Sequence, residues 1–161
     1  MFKKFLKGKK NTHLVAPLSG KIVPLEEVPD EVFAQKMVGD GVAIDPTSEF
    51  VLAPCDGKIG KIFNTNHAFS MESTDGIELF VHYGVDTIEL EGKGFERFVS
   101  QGDDVKAGDK ILSADLEYLK ANAKSVITSV IISNVEDLKT FVVGNEIKAV
   151  AGETVILEVA F

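Results

Sequence analysis

From Leu14 onward the chain is a succession of short apolar runs cut by Gly, Pro, Asp and Asn, with little helical periodicity. Strands are expected at His13–Gly20, Lys21–Leu25, Gly41–Pro46, Phe50–Pro54, Gly57–Phe63, Ala68–Glu72, Ile77–Tyr83, Lys110–Leu112, Val126–Ser133 and Thr154–Val159. Turn dipeptides separate many of them: Ser19-Gly20, Asp56-Gly57, Asp75-Gly76, Gly102-Asp103 and Gly108-Asp109. Many short strands at this spacing predict an all-β fold, an antiparallel sandwich or barrel. Only Asp115–Lys124 and Val135–Phe141 read as short helices, with Asp115 and Asn134 as N-caps. Ala16-Pro-Leu-Ser-Gly-Lys-Ile is echoed by Ala53-Pro-Cys-Asp-Gly-Lys-Ile. The absence of a third copy makes this a duplicated hairpin signal, two β units packed face to face, rather than a repeat array.

The first twelve residues differ from the rest. Phe2, Phe5 and Leu6 recur at helical spacing among Lys3, Lys4, Lys7, Lys9 and Lys10. Residues 1–12 are therefore expected to form a basic tail, either solvated or amphipathic and in weak contact with anionic lipid. Residues 13–161 form one domain by length. The whole chain carries −8, so the part after residue 10 carries 12 basic and 25 acidic groups. That balance argues against nucleic-acid binding and suits a basic protein partner. With Cys55 as the sole cysteine there is no internal disulfide. No signal peptide or spanning segment is legible, and a cytoplasmic monomer is the expectation.

Chemistry concentrates in two short stretches, Asn66–Ser70 and Glu78–Asp86, which hold His67 and His82. In the run Glu78–His82, alternation sends Leu79 and Val81 inward and places Phe80 and His82 on the outer face. Phe63, Thr65 and His67 share a parity if their strand continues so far. A sheet face bearing two phenylalanines, a threonine and two histidines is a candidate recognition surface. Two converging imidazoles supply either a nucleophile with a hydrogen-bonding helper or two metal ligands. As metal ligands they are an incomplete set, with Cys55 or Asp86 as a further donor or a zinc ion shared with a partner. The run Gln101–Leu112 resembles the hairpin of biotinyl and lipoyl domains, but no lysine between methionines is present. A pure adaptor is the remaining alternative.

Longer motifs narrow these readings. They are A-P-L-S-G-K-I-V at Ala16–Val23, V-P-D-x-V-F-A-x-K at Val28–Lys36 and V-G-D-G-V-A-I at Val38–Ile44. G-x-I-G-K-I-F-x-T-N-H-A-F-S at Gly57–Ser70 and G-I-E-L-F-V-H-Y-G-V-D-T at Gly76–Thr87 follow in the same order. With these, residues 14 to about 134 closely resemble the glucose-type enzyme IIA family of the bacterial phosphoenolpyruvate-dependent sugar phosphotransferase system. The resemblance implies an antiparallel β-sandwich with a shallow active face. It implies a phosphohistidine carrier that takes a phosphoryl group from the phosphocarrier HPr and passes it to the IIB domain of a sugar permease. His82 matches the acceptor, His67 its partner histidine, and Thr65 the threonine associated with the pair. Phe63, Phe80, Val32, Phe33 and Val38 match an apolar docking rim, and Asp30 and Asp86 its acidic periphery. No cofactor is required by this reading, and an intermolecular zinc shared through His67 and His82 is an optional addition. The sequence departs from the family pattern at Tyr83, Cys55 and Ser129, and matches it poorly from Lys139 onward. For the chemistry, His82 Nε2 is expected to attack while Nδ1–H donates to a backbone carbonyl, that of Gly84 being in reach.

Overall fold

The computed structural model describes residues 11–161, and the expectation for the basic tail lies, for its first ten residues, outside them. Among the described residues, fourteen strands make three antiparallel sheets. The largest has the order β13-β2-β3-β11-β7-β6-β5-β9, formed by β13 (Lys148–Ala149), β2 (Gly20–Pro24), β3 (Asp40–Pro46), β11 (Thr128–Ile132), β7 (Glu78–His82), β6 (Ala68–Ser73), β5 (Gly57–Ile62) and β9 (Asp104–Val105). A second joins β1 (Thr12–Val15), β14 (Val155–Ala160) and β12 (Thr140–Val143). The third joins β4 (Phe50–Leu52), β10 (Lys110–Ala114) and β8 (Phe95–Arg97). The protein is an antiparallel β-sandwich, as the strand pattern predicts. Its main core buries Leu14, Ile44, Phe69, Leu79, Ile111 and Leu157, all at most 1% exposed.

The echoed A-P-x-x-G-K-I motifs face each other across the molecule. Val15 N–H donates to Pro54 O at 2.9 Å and Leu52 N–H to Pro17 O at 2.8 Å, a reciprocal pair. Gly152 N–H donates to Ala16 O and Gly108 N–H to Ala53 O, again in matching fashion. Each motif then opens a strand second from one edge of the large sheet, Gly20 pairing with Ala149 and Gly57 with Val105. The two-fold relation therefore places β13-β2-β3-β11 and β9-β5-β6-β7 as equivalent halves, meeting at β7 and β11.

Two expectations are corrected. Val135–Phe141 is not a helix: a 3-10 turn at Val135–Asp137 is followed by β12. Asn134 makes no side-chain cap, because its amide bridges to the neighbouring loop, accepting from Glu78 N–H and donating to Gly76 O, each at 3.0 Å. The following Phe-Val-Val is better placed in a ladder beside β14. Conversely, a short helix α1 (Glu31–Ala34) was not legible from periodicity, since one turn is too brief to show it. Asp30 caps it by accepting from Val32 N–H at 2.9 Å. The expected helix after Asp115 is present as α2 (Leu116–Asn122), with Tyr118 N–H donating to Asp115 Oδ1.

Candidate active site

Alternation in β7 works as expected. Leu79 and Val81 are buried in the main core, whereas Phe80 and His82 stand half-buried on the opposite face. His82 is flanked in register by Ala68 on β6 and Ser129 on β11. Both are small, so the imidazole stands above its neighbours instead of being walled in.

His67 arrives by a different route from the one its parity suggests. β5 ends at Ile62, and the chain turns tightly: Asn66 N–H donates to Phe63 O at 2.8 Å and Phe63 N–H to Ala68 O at 3.0 Å. Asn66 closes the turn with φ 58°, in the left-handed region that asparagine tolerates better than most side chains. A turn, rather than a continued strand, delivers Phe63, Thr65 and His67. Nor is the pair equally open, because His67 is only 2% exposed. Its carbonyl accepts from Tyr83 N–H at 2.8 Å, which fastens it to the end of β7.

The rings meet edge to face, their centroids 4.8 Å apart with an 81° interplanar angle. Phe33, Phe63 and Phe80 surround them: Phe33 lies 4.8 Å from the His82 ring and Phe63 5.2 Å from the His67 ring. Phe80 lies 6.0 Å from His82 and 6.1 Å from Phe63. The apolar positions split into two groups. Val32 and Val38 are exposed, as a docking rim requires, and Met37 beside them is more exposed still at 68%. Phe33 is buried at 5% exposure and packs into a small second core with Leu25, Val28 and Ile131. Met37 went unnoticed in the sequence because a single methionine between polar residues carries no periodic signal.

Each imidazole has a defined tautomer partner. His82 Nδ1 lies 2.9 Å from Gly84 O. A carbonyl can only accept, so in the neutral ring the proton is on Nδ1 and Nε2 carries a free lone pair. Gly84 is required for this geometry: its φ is 68°, and a Cβ there would meet Ser125 O at 2.5 Å. His67 Nδ1 is 2.5 Å from Thr65 Oγ1. If the hydroxyl donates there, His67 Nε2–H is free to donate in turn.

Burial holds both rings neutral near pH 7. It pushes His67 down to about 4, with the neighbouring His82 adding to the effect. His82 is also lowered by burial, but Gly84 O, Asp30 and Asp86 pull back in the other direction. Asp30 and Asp86 line one cleft beside the pair, with Glu31 and Lys124. Asp86 is exposed at the head of a 3-10 turn, Thr87–Leu90. Among the described residues no group of three or more His, Cys, Asp or Glu could hold a metal ion. Cys55 is buried in the main core, its thiol pushed up to about 12 by desolvation, so it is no ligand to the histidines. A concavity of about 760 Å³ lies further along β5, β6 and β7 and is lined by neither histidine.

The arrangement is a shallow apolar face with a bare imidazole nitrogen, an adjacent second imidazole and a carboxylate periphery. Among the described residues no helix is long and apolar enough to cross a membrane. A glucose-specific EIIA component from Borreliella burgdorferi is 54% identical over 139 residues, covering 86% of this chain and 74% of that protein. The glucose-specific EIIA component of Haemophilus influenzae is 49% identical over 161 residues, with 98% and 96% covered. An N-acetylglucosamine-specific EIICBA component from Klebsiella pneumoniae is 53% identical over 146 residues, and this chain spans only 22% of that longer protein. The solved structure of glucose permease IIA from Mycoplasma capricolum superposes with a TM-score of 0.85 at 39% identity, covering 92% of this chain and 96% of that one. The profile of the phosphoenolpyruvate-dependent sugar phosphotransferase system, EIIA 1, matches residues 12–138, and the chain belongs to that family, moving phosphoryl groups through a histidine in sugar uptake.

Proposed function

We propose that His82 is the histidine that carries the group. The observation behind this is the hydrogen bond from Nδ1 to Gly84 O, which leaves Nε2 bare and directed away from its own backbone. The Nε2 lone pair attacks phosphorus on a phosphorylated donor protein, of which HPr is the expected one. The bond between phosphorus and the donor atom breaks, and the donor keeps that electron pair. In the second step the acceptor's nucleophile attacks the same phosphorus and Nε2 recovers its lone pair. A partly dispersed charge on the phosphoryl oxygens is stabilised by positioned donors. With the Thr65 hydroxyl donating to His67 Nδ1, His67 Nε2–H is the donor nearest to hand.

A relative in which EIIA is joined to IIC and IIB parts supports a permease as the acceptor side, with the IIB part receiving the group and a sugar of the glucose or N-acetylglucosamine kind. Val32, Val38, Phe63 and Phe80 form the docking face, and Asp30 and Asp86 attract cationic side chains of partners. The same face serves donor and acceptor in turn, so each contact is transient. The carrier is a cytoplasmic monomer that needs no cofactor, and a zinc ion on His67 and His82 forms only where a partner supplies the remaining ligands. Incubation with labelled phosphoenolpyruvate, the general phosphotransferase enzyme I and HPr tests the assignment. His82→Ala abolishes labelling, whereas His67→Ala still loads but delivers slowly to IIB. A labelled His82→Ala protein overturns it, and an unlabelled wild-type protein marks an adaptor.

A further inference from the structure

Arg97 is the only arginine in the chain. It sits on β8, in the small sheet with β4 and β10, where it is registered opposite Leu112. From there it reaches the turn between β5 and β6. Its Nε donates to Asn66 Oδ1 at 2.7 Å and a terminal guanidinium nitrogen donates to Phe63 O at 3.1 Å. Phe63 O already accepts from Asn66 N–H, so the guanidinium holds both ends of one four-residue turn. That turn carries Thr65 and leads directly into His67. A guanidinium has no acceptor, so the contact also fixes which way the Asn66 amide faces. None of the ion pairs among the described residues uses Arg97, so its donors are not committed to a carboxylate.

We propose that Arg97 is a positioning residue for the phosphoryl-transfer site: it clamps the Phe63–Asn66 turn so that Thr65 and His67 hold their hydrogen bond and His67 faces His82. The proposal rests on the carrier role of His82 for its kinetic consequence, but not for its structural one. A planar fork gripping two acceptors is something lysine cannot reproduce, since an ammonium offers a point charge without a fixed pair of directions. Two links then separate Arg97 from the reacting atoms, the turn and the Thr65–His67 bond, so it acts through others. Small displacements of a supporting group are costly in such sites, because a donor misplaced by about 1 Å loses much of its effect.

Two measurements test this on the full chain. The ¹⁵N and ¹H spectrum of the imidazoles in the unphosphorylated protein reads the His67 tautomer. The wild type is expected to show one form, protonated at Nε2, and Arg97→Ala a mixture of both. Single-turnover kinetics then compare loading from phosphorylated HPr with delivery to IIB. Delivery is expected to fall about 10-fold in Arg97→Ala while loading changes less than about 2-fold. Arg97→Lys should stay slow, because charge without the fork does not hold the turn. Asn66→Gly keeps a left-handed residue but removes the acceptor. It should show the same spectrum and rate defect, and the double variant should be no worse than either single one. It also keeps the test decisive if Arg97→Ala folds poorly. A wild-type His67 spectrum and wild-type delivery in Asn66→Gly and Arg97→Ala overturn the proposal, as does full rescue by Arg97→Lys. If the spectra change as expected but wild-type His82 never loads, the carrier assignment fails and the clamp stands.

Discussion

The two halves of the large sheet, β13-β2-β3-β11 and β9-β5-β6-β7, share a backbone plan and differ in what covers their outer face. His82 pairs with Ser129 across the midline, and Phe80 pairs with Ile131. Under the two-fold relation Ile131 therefore stands where His82 stands, and Ser129 where Phe80 stands. In the first half β2 and β3 are joined by a long excursion, through a 3-10 turn at Leu25–Glu27 and α1. It folds over the sheet and buries Ile131 with Leu25, Val28 and Phe33 in the second core. In the other half β5 and β6 are joined by the tight turn at Phe63–Asn66, too short to cover anything. The same strand position is thus a core residue on one side and a half-buried imidazole with a bare Nε2 on the other. The lesson is that the connection, rather than the strand, makes the site.

The largest expected effect comes from undoing the cover. Phe33→Ala removes a side chain 5% exposed from the second core and should cost about 3 kcal/mol or more. Phe63→Ala, on the half-exposed rim of the open side, should cost about 1 kcal/mol. Urea unfolding of both variants checks the contrast. Equal losses would mean that the open half is as tightly packed as the covered one. Because the Phe33 ring also lies 4.8 Å from the His82 ring, its loss should slow phosphoryl loading as well.

This contrast also marks how far the sequence could be read. The alternation in Glu78–His82 and the duplicated A-P-x-x-G-K-I were legible because strand period and turn chemistry are local properties. Burial of His67 was not legible, since it depends on Tyr83 and on a turn whose register only tertiary contacts fix. Motif resemblance brought His67, His82 and Thr65 together, and the structure places them in contact. It gave no hint that Asp30 caps a helix or that Phe33 is core, because both roles belong to a one-turn helix without a periodic trace. The short edge strands β9 and β13 were missed for a similar reason: two residues cannot display alternation. Arg97 left no signal at all, being joined to the site only through space.

A second effect follows from the neutral state of the buried ring. The folded-state pKa of His67 is lowered from 6.5 to about 4, so the unfolded chain binds more protons than the native one between those values. Stability therefore rises with pH through this window and is lost as pH falls from about 6.5 toward 4. From pH 7 to pH 5 the loss attributable to His67 should be about 2 kcal/mol. Denaturant unfolding of the wild type and of His67→Gln at the two pH values isolates it, because His82 and the carboxylates remain in both. A parallel pH dependence in the two proteins would show that the ring is not held neutral by burial.

The smallest effect concerns Ser129, the counterpart of Phe80. Its hydroxyl is fully buried and has no hydrogen-bond partner among the described residues. What the site asks of this position is small size, since Ser129 and Ala68 flank His82 on either side. Alanine keeps the size and removes a buried group left without a partner. Ser129→Ala should thus leave phosphoryl loading unchanged and stabilise the protein by about 0.5–1 kcal/mol. Valine at the same place should instead crowd the imidazole and slow loading while leaving the second core intact. Parallel measurement of melting temperature and loading rate separates the two requirements. A destabilised Ser129→Ala protein would mean that the hydroxyl is engaged after all, and that small size is not all that this position supplies.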